Sequence, residues 1–318
     1  MAAAKYLNKD RIIWAATRSV LESLRFKSKR GGAKSKSRWT LFERILSVFV
    51  FFLKITGYYK KGLGNAMYNQ LTEVTLEYED LPESLDGYKI IHLSDLHLDT
   101  IAKTEVYIVD KIKDLKYDLC VITGDYRKND SGRFVHVIRP FKYLVNHINA
   151  PDGIWAVLGN HDSYMMVDYE EELAPLKFLV NEDVVLDKGG SKLNITGTDD
   201  PFSYFTDRAI FALEKAEGDF KIALVHTSEL HDVASENAFN LYLCGHTHAG
   251  QICLPGGIPL ITHQKDGRKY LKGLWRDGAM YGYTSAGNGV SGVPLRFNTF
   301  GEVVLITLKK KNINPEKR

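Results

Sequence analysis

Apolar and polar positions alternate along this chain in two rhythms. Short apolar runs of strand length recur at residues 73–78, 89–93, 117–123, 154–158, 183–187, 192–198, 220–225, 241–244, 281–285 and 302–308. Between several of them, apolar residues return every three to four positions, which predicts helices over 104–116, 134–148, 169–180 and 206–217. Pro175 falls inside the third of these and should kink or divide it. Residues 81–87 are turn material, and no repeat of solenoid period is present. From Val74 onward the pattern predicts one α/β domain.

Five of the apolar runs end alike, on residues able to bind a metal ion or a proton. The run at 89–93 leads to Asp95 and His97, and 117–123 leads to Gly124-Asp125. Residues 154–158 lead to Gly159-Asn160-His161-Asp162, 220–225 to His226, and 241–244 to Gly245-His246-Thr247-His248. At a strand exit, positions i and i+2 share a side, so Asp95 and His97 can aim at one ion. Glycine lets the backbone turn sharply there. Open α/β sheets place their ligands beyond the carboxyl ends of strands. These five loops therefore predict one polar site on one edge of a sheet.

The beginning of the chain has a different texture. Residues 11–25 predict an amphipathic helix, with Ile13, Val20, Leu21 and Leu24 at helical spacing and Arg11, Arg18, Glu22 and Arg25 elsewhere on the wheel. Residues 27–38 are Lys, Arg, Ser and Gly with little apolar content and read as a solvated linker. Residues 39–59 are apolar and aromatic but interrupted by Glu43, Arg44 and Lys54, so they fall short of the about 20 apolar residues of a membrane span. An interfacial helix suits them better than a secretory signal, and packing on protein is the alternative. Fifteen Lys and Arg against three acids give residues 1–61 a net charge of +12, which leaves −9 for residues 62–318. The chain is accordingly divided into a basic, membrane-associating arm (1–61) and a catalytic domain (62–318). The acidic balance of the catalytic part argues against nucleic acid as the partner. Three scattered cysteines, Cys120, Cys244 and Cys253, fit a reducing compartment without a disulfide framework, and Cys120 and Cys244, inside apolar runs, read as buried small hydrophobes. The tail 309–318 is charged and expected to fray.

Asp95, His97, Asp125, Asn160, His226, His246 and His248 offer oxygen and imidazole donors and no thiolate. That set suits Mn, Fe or Zn. It is too large for one tetrahedral ion. With a shared carboxylate it can hold two ions about 3.5–4 Å apart, a spacing that serves in-line phosphoryl displacement.

In these five blocks, and in their order, the chain resembles the calcineurin-like metallophosphoesterase superfamily. The resemblance implies a four-layer α-β-β-α sandwich with two mixed sheets. It implies that Asp95, His97, Asp125 and His248 bind a first metal, that Asp125 bridges, and that Asn160, His226 and His246 complete a second. His161 would stand near the leaving-group oxygen, with Asp162 orienting it. His92, His136, His147, His231 and His263 fall outside the motifs and read as ordinary hydrogen-bonded histidines. Two departures concern loop shape. Thr227-Ser228 replaces a frequent Pro after His226, and Ala249 replaces a frequent Gly, which is tolerable if the backbone avoids positive φ. Loop 199–205 and segment 281–297 are candidates to line the site. Within the latter, Asn288 and Arg296 are candidate substrate contacts, Arg296 as a phosphate grip or as a surface ion pair. The Gly-rich stretch 285–292 lacks the setting of a nucleotide fingerprint.

Residues 51–97 are also similar to the peripheral UDP-2,3-diacylglucosamine pyrophosphatases of lipid A synthesis. That similarity implies a phosphorylated, lipid-linked substrate, probed most directly with manganese, and a place on the anionic cytoplasmic face of the inner membrane. The alternatives are a phosphoesterase of soluble esters and a non-catalytic scaffold of the same fold.

Overall fold

A computed structural model describes residues 9–31, 44, 46–260, 262 and 269–311. His263, most of the linker 27–38 and the end of the tail lie outside them. Two six-stranded mixed sheets stack face to face. The first runs β1 (Asn69–Tyr78), β14 (Gly301–Lys310), β2 (Lys89–Leu93), β3 (Leu119–Thr123), β4 (Ile154–Val157), β5 (Leu176–Phe178). The second runs β12 (Gly273–Asp277), β13 (Met280–Thr284), β9 (Leu241–Cys244), β8 (Phe220–Leu224), β7 (Ser191–Gly197), β6 (Glu182–Lys188). A two-residue pair, β10 (Cys253–Leu254) and β11 (Ile258–Pro259), stands apart.

The period-2 geometry of a strand sorts each side chain into one of three apolar layers. Between the sheets lie Ile90, Leu119, Val121, Val157, Ile195, Ile222, Leu224, Leu243, Val304 and Ile306. The alternate residues Ile91, Leu93, Cys120, Ile122 and Ala156 meet α4 (Thr104–Ile112) and α5 (Val135–Asn146) on the outside of the first sheet. Ala223, Val225, Tyr242 and Cys244 meet α7 (Asp207–Glu214) and α8 (His231–Glu236) outside the second. Both faces of each sheet are covered, which is why the central strands read as unbroken apolar runs. This is the four-layer sandwich that the resemblance implied. All three cysteines are buried and unpaired.

Some elements differ from the sequence expectation. The helix expected over 169–180 is absent: a 3₁₀ turn (Tyr164–Tyr169) and the short strand β5 take its place. Pro175 removes an amide and disfavours the α conformation at Ala174, and the apolar residues around it serve a sheet edge instead. Lys309 and Lys310 do not fray but pair within β14. Residues 27–31 belong to α1 (Lys9–Gly31), so the linker begins later than its composition indicates. Short elements at 201–204 (α6) and in β12 carried too few residues for a periodic signal.

The amphipathic helix α1 is oriented against its pattern. Trp14 and Arg18 are buried against the sandwich, while Ile12, Ile13, Val20 and Leu24 are 40–56% exposed. Arg11 donates to Glu182, Glu170 and the Phe178 carbonyl. A second helix, α2 (46–55), exposes Val48, Phe49, Phe51, Phe52 and Ile55, and α3 (Tyr58–Met67) follows it. Among the described residues no helix is long and apolar enough to cross a membrane.

Candidate metal centre

The strand ends β2, β3 and β4 of the first sheet and β8 and β9 of the second converge, so two sheets rather than one supply the five loops. Two donor triads result. Asp95, His97 and His248 place ligand atoms within 4.8 Å of one another, as do Asp125, His226 and His246. Asn160 joins the second triad, its Oδ1 3.0 Å from His226 Nε2. Asp125 Oδ2 stands between the triads, 3.3 Å from His226 Nε2, 3.8 Å from His97 Nε2 and 3.9 Å from His161 Nε2. Its other oxygen accepts the His161 amide at 2.8 Å. All seven donors are buried, whereas His161 is partly exposed at the mouth.

Backbone conformation, not strand alternation, aims the donors. Asp95, His97, Asp125, His246 and His248 all sit at positive φ, between 37° and 71°. Each costs roughly 1–3 kcal/mol relative to ordinary backbone, and such residues persist where surroundings impose them. Ala249 also lies there, at φ 52°, so the condition under which it was to replace Gly comfortably is not met. Neighbouring glycines leave the necessary room. A Cβ on Gly245 would collide with Ser94 Oγ and the Asp95 carboxylate, and one on Gly159 with Asp125.

The hydrogen bonds fix imidazole tautomers in a way that fits metal ligation. His97 Nδ1 is 2.8 Å from the Arg127 carbonyl and His226 Nδ1 is 2.7 Å from the Thr123 carbonyl. Each ring donates there and turns its Nε2 inward. His97 and His248 direct their Nε2 atoms at each other, 3.2 Å apart. Burial holds both imidazoles below their ordinary pKa. Two facing ring nitrogens beside the Asp95 carboxylate, 3.4 Å from His248 Nε2, suit a divalent cation. Burial opposes the charge on Asp125, but His226, 3.3 Å away, prevails and holds its carboxyl well below the ordinary range. Burial raises Asp95, whose carboxylate accepts the His246 amide and the Ser94 hydroxyl.

Three expected site residues have other work. Asp162 does not touch the His161 ring. Its oxygens accept the amides of Asp125, Tyr126 and Gly159, each at 2.8 Å, and so clamp the β3 exit to the β4 exit. Among the described residues nothing pairs with His161 Nδ1. Arg296 is neither a phosphate grip nor a surface ion pair. It is fully buried and donates to the carbonyls of His248, Phe300, Ala286, Gly287 and Gly289. Asn288 is equally buried, accepting the Ser94 amide and donating to Asn69 and the Glu302 carbonyl. Both brace the Asp95 and His248 loops from behind. Loop 199–205 does reach the site, with the Phe202 ring 4.6 Å from that of His246.

Outside the motifs, His92 is buried against Thr123 Oγ1, its pKa pressed down to about 3 by burial. His136 pairs with Asp99, His147 with the Tyr143 carbonyl and His231 with Asp277. Sequence reasoning missed Arg18, Arg25 and Arg127, whose side chains reach the backbone behind Asn160 and His161. A lone arginine in a helix or loop carries no pattern that announces such a contact.

Comparison with known proteins agrees with this geometry. The calcineurin-like phosphoesterase family matches residues 88–250. The uncharacterized metallophosphoesterase YkuE of Bacillus subtilis is 32% identical over 79% of this chain and 91% of its own length. An uncharacterized metallophosphoesterase of Helicobacter pylori is 28% identical over 82% of this chain and 70% of its own. A bovine transmembrane protein with metallophosphoesterase domain is 27% identical over 75% of this chain and 57% of its own length. Taken with the two donor triads around Asp125, these matches place the chain in the calcineurin-like phosphoesterase family, as a metal-dependent phosphoester hydrolase with a dinuclear divalent metal site.

Proposed function

We propose that this hydrolase cleaves a phosphodiester or pyrophosphate bond of a lipid-linked substrate at a membrane surface. When bound, two divalent ions, manganese foremost, would supply an acidified water and neutralise charge on the phosphoryl oxygens. Asp95, His97, His248 and Asp125 would hold one ion, and Asp125, Asn160, His226 and His246 the other. His161, partly exposed and within 4 Å of Asp125, is placed to meet the substrate oxygen, where an imidazole can donate a hydrogen bond or a proton.

The observation that carries the substrate reading is the apolar surface flanking the site. On one side, α1 touches the Asn160 loop and turns Ile12, Ile13, Val20 and Leu24 outward. On the other, α2 exposes Phe51 and Phe52 at 59% and 55%. An apolar groove of about 440 Å³ separates α2 from Gly292–Pro294, lined by Leu46, Val50, Phe51 and Lys54. That loop is tied through Gln251 to the turn that carries His248. Large exposed apolar residues beside a basic segment suit the interface of an anionic bilayer.

The test is metal-dependent product formation from UDP-2,3-diacylglucosamine in detergent, compared with bis-p-nitrophenyl phosphate, for the intact protein and Asp125→Ala. Cleavage to UMP and the diacylated sugar phosphate, dependent on Mn²⁺ and lost in Asp125→Ala, supports that substrate. Cleavage of the soluble ester alone would retain the two-metal chemistry and overturn the lipid assignment.

A further inference from the structure

The four consecutive carbonyls of residues 159–162, which frame Asn160 and His161, each meet an arginine. Arg18 Nη2 donates to Gly159 O at 3.2 Å and to Asp162 O at 3.1 Å. Arg25 Nη1 donates to Asn160 O at 2.8 Å, and Arg127 Nε donates to His161 O at 2.6 Å. Three of these four carbonyls are therefore held by α1, from well over a hundred residues away in the chain. The same helix continues the pattern into the next residues, because Glu22 accepts the Ser163 hydroxyl and the Tyr164 amide.

Arg18 is costly to place there. Its side chain is completely buried, and a buried charge destabilises unless paired and fully hydrogen-bonded. It is paired with Asp199 and Glu22, and its guanidinium lies 3.4 Å from the centre of the Tyr204 ring. Asp199 also accepts from Trp14 Nε1 at 2.7 Å, which fixes the carboxylate that fixes the arginine. A helix docked only for stability would bury its apolar stripe. This one buries Arg18 together with Trp14 and leaves Ile12, Ile13, Val20 and Leu24 outside.

We propose that Arg18 and Arg25 are positioning residues of the metal centre: α1 acts as a strap that holds the Gly159–Asp162 backbone so that Asn160 and His161 face Asp125. The proposal rests on the reading of Asn160 as a ligand of the second ion.

The test compares Arg18→Ala, Arg25→Ala and Arg11→Ala in the full chain. Arg11 anchors the same helix on Glu182 and Glu170, away from the loop, and serves as the control for helix attachment. Mn²⁺ binding by titration calorimetry, kcat and KM on bis-p-nitrophenyl phosphate, and thermal midpoint are read for each. Arg18→Ala and Arg25→Ala are expected to weaken one of two Mn²⁺ sites and to lower kcat by about 10–100-fold, the usual scale for residues that orient ligands, at little change in KM. Arg11→Ala should keep both sites and the wild-type kcat. If Arg18→Ala does not fold, Arg25→Ala decides, since it is partly exposed and lacks the buried ion pair. Two Mn²⁺ sites of wild-type affinity in folded Arg25→Ala and Arg18→Ala would overturn the strap. Loss of one Mn²⁺ site in Arg11→Ala as well would overturn it too, by reducing the effect to helix attachment. A wild-type protein that binds fewer than two Mn²⁺ ions would instead remove the ligand reading on which the strap depends.

Discussion

At the scale of single residues, the site is a set of donors held in uncommon backbone conformations and braced by buried polar side chains. The donors were legible because Asp, Asn and His at five strand exits have few structural reasons to recur together. The braces were not legible, since nothing local distinguishes a buried Arg296 from a surface one. Its five carbonyl partners lie at 248, 286, 287, 289 and 300. Only the folded backbone gathers them. Removing the guanidinium strands those carbonyls, so Arg296→Leu should lose about 3–5 kcal/mol in denaturant unfolding. The folded fraction should keep its KM for bis-p-nitrophenyl phosphate. A raised KM at unchanged stability would instead mark Arg296 as a substrate contact. Ala249 shows the opposite case: the residue was noticed, but its φ of 52° follows from packing of the His248 turn, which a motif does not encode.

At the scale of elements, strand positions were read well because both sheets are covered and their runs are continuously apolar. Helices beside them were found to within a few residues at α4, α5 and α7. The failures share a cause. Helix 169–180 was inferred from apolar spacing that in fact serves β5, and α1 was found while its orientation was missed. The spacing of apolar residues along a helix gives the direction of its apolar stripe but not what covers it. For α2 the stripe is open as well, and this gives a direct test. Phe51→Ser with Phe52→Ser should reduce co-sedimentation with vesicles rich in anionic phospholipid several-fold and leave hydrolysis of bis-p-nitrophenyl phosphate unchanged. Equal sedimentation of variant and wild type would detach α2 from the membrane. Point changes are preferable to deleting residues 1–60, because that deletion also removes Arg18 and Arg25 from the Asn160 loop.

At the scale of the whole molecule, the two sheets meet at a cluster of buried carboxylates and imidazoles, and its ions would bind the native state far better than the unfolded chain. Ligands of that kind stabilise by mass action. Prolonged chelation should therefore abolish hydrolysis and lower the thermal midpoint, and Mn²⁺ should restore both. An unchanged midpoint after verified metal removal would show that the donors are held by the scaffold alone. The sandwich itself was legible through the family motifs. The placement of the last strand was not, because strand order in a sheet depends on long-range pairing that no local window contains. β14 enters between β1 and β2, parallel to the first and antiparallel to the second.

That insertion gives the chain a clock. Helix α1 leaves the ribosome long before its docking site exists: Arg18 precedes Asp199 by 181 residues, roughly 10–35 s of synthesis at ordinary elongation rates. The Glu302 carbonyl that holds Asn288 against the Ser94–Asp95 turn arrives later still, with β14. Every growing chain thus passes through a period in which α1 has been made and its outward apolar residues are already available, while the loops of the metal centre are still incomplete. The metal centre gains its last braces only when α1 and β14 have both docked on the same sandwich.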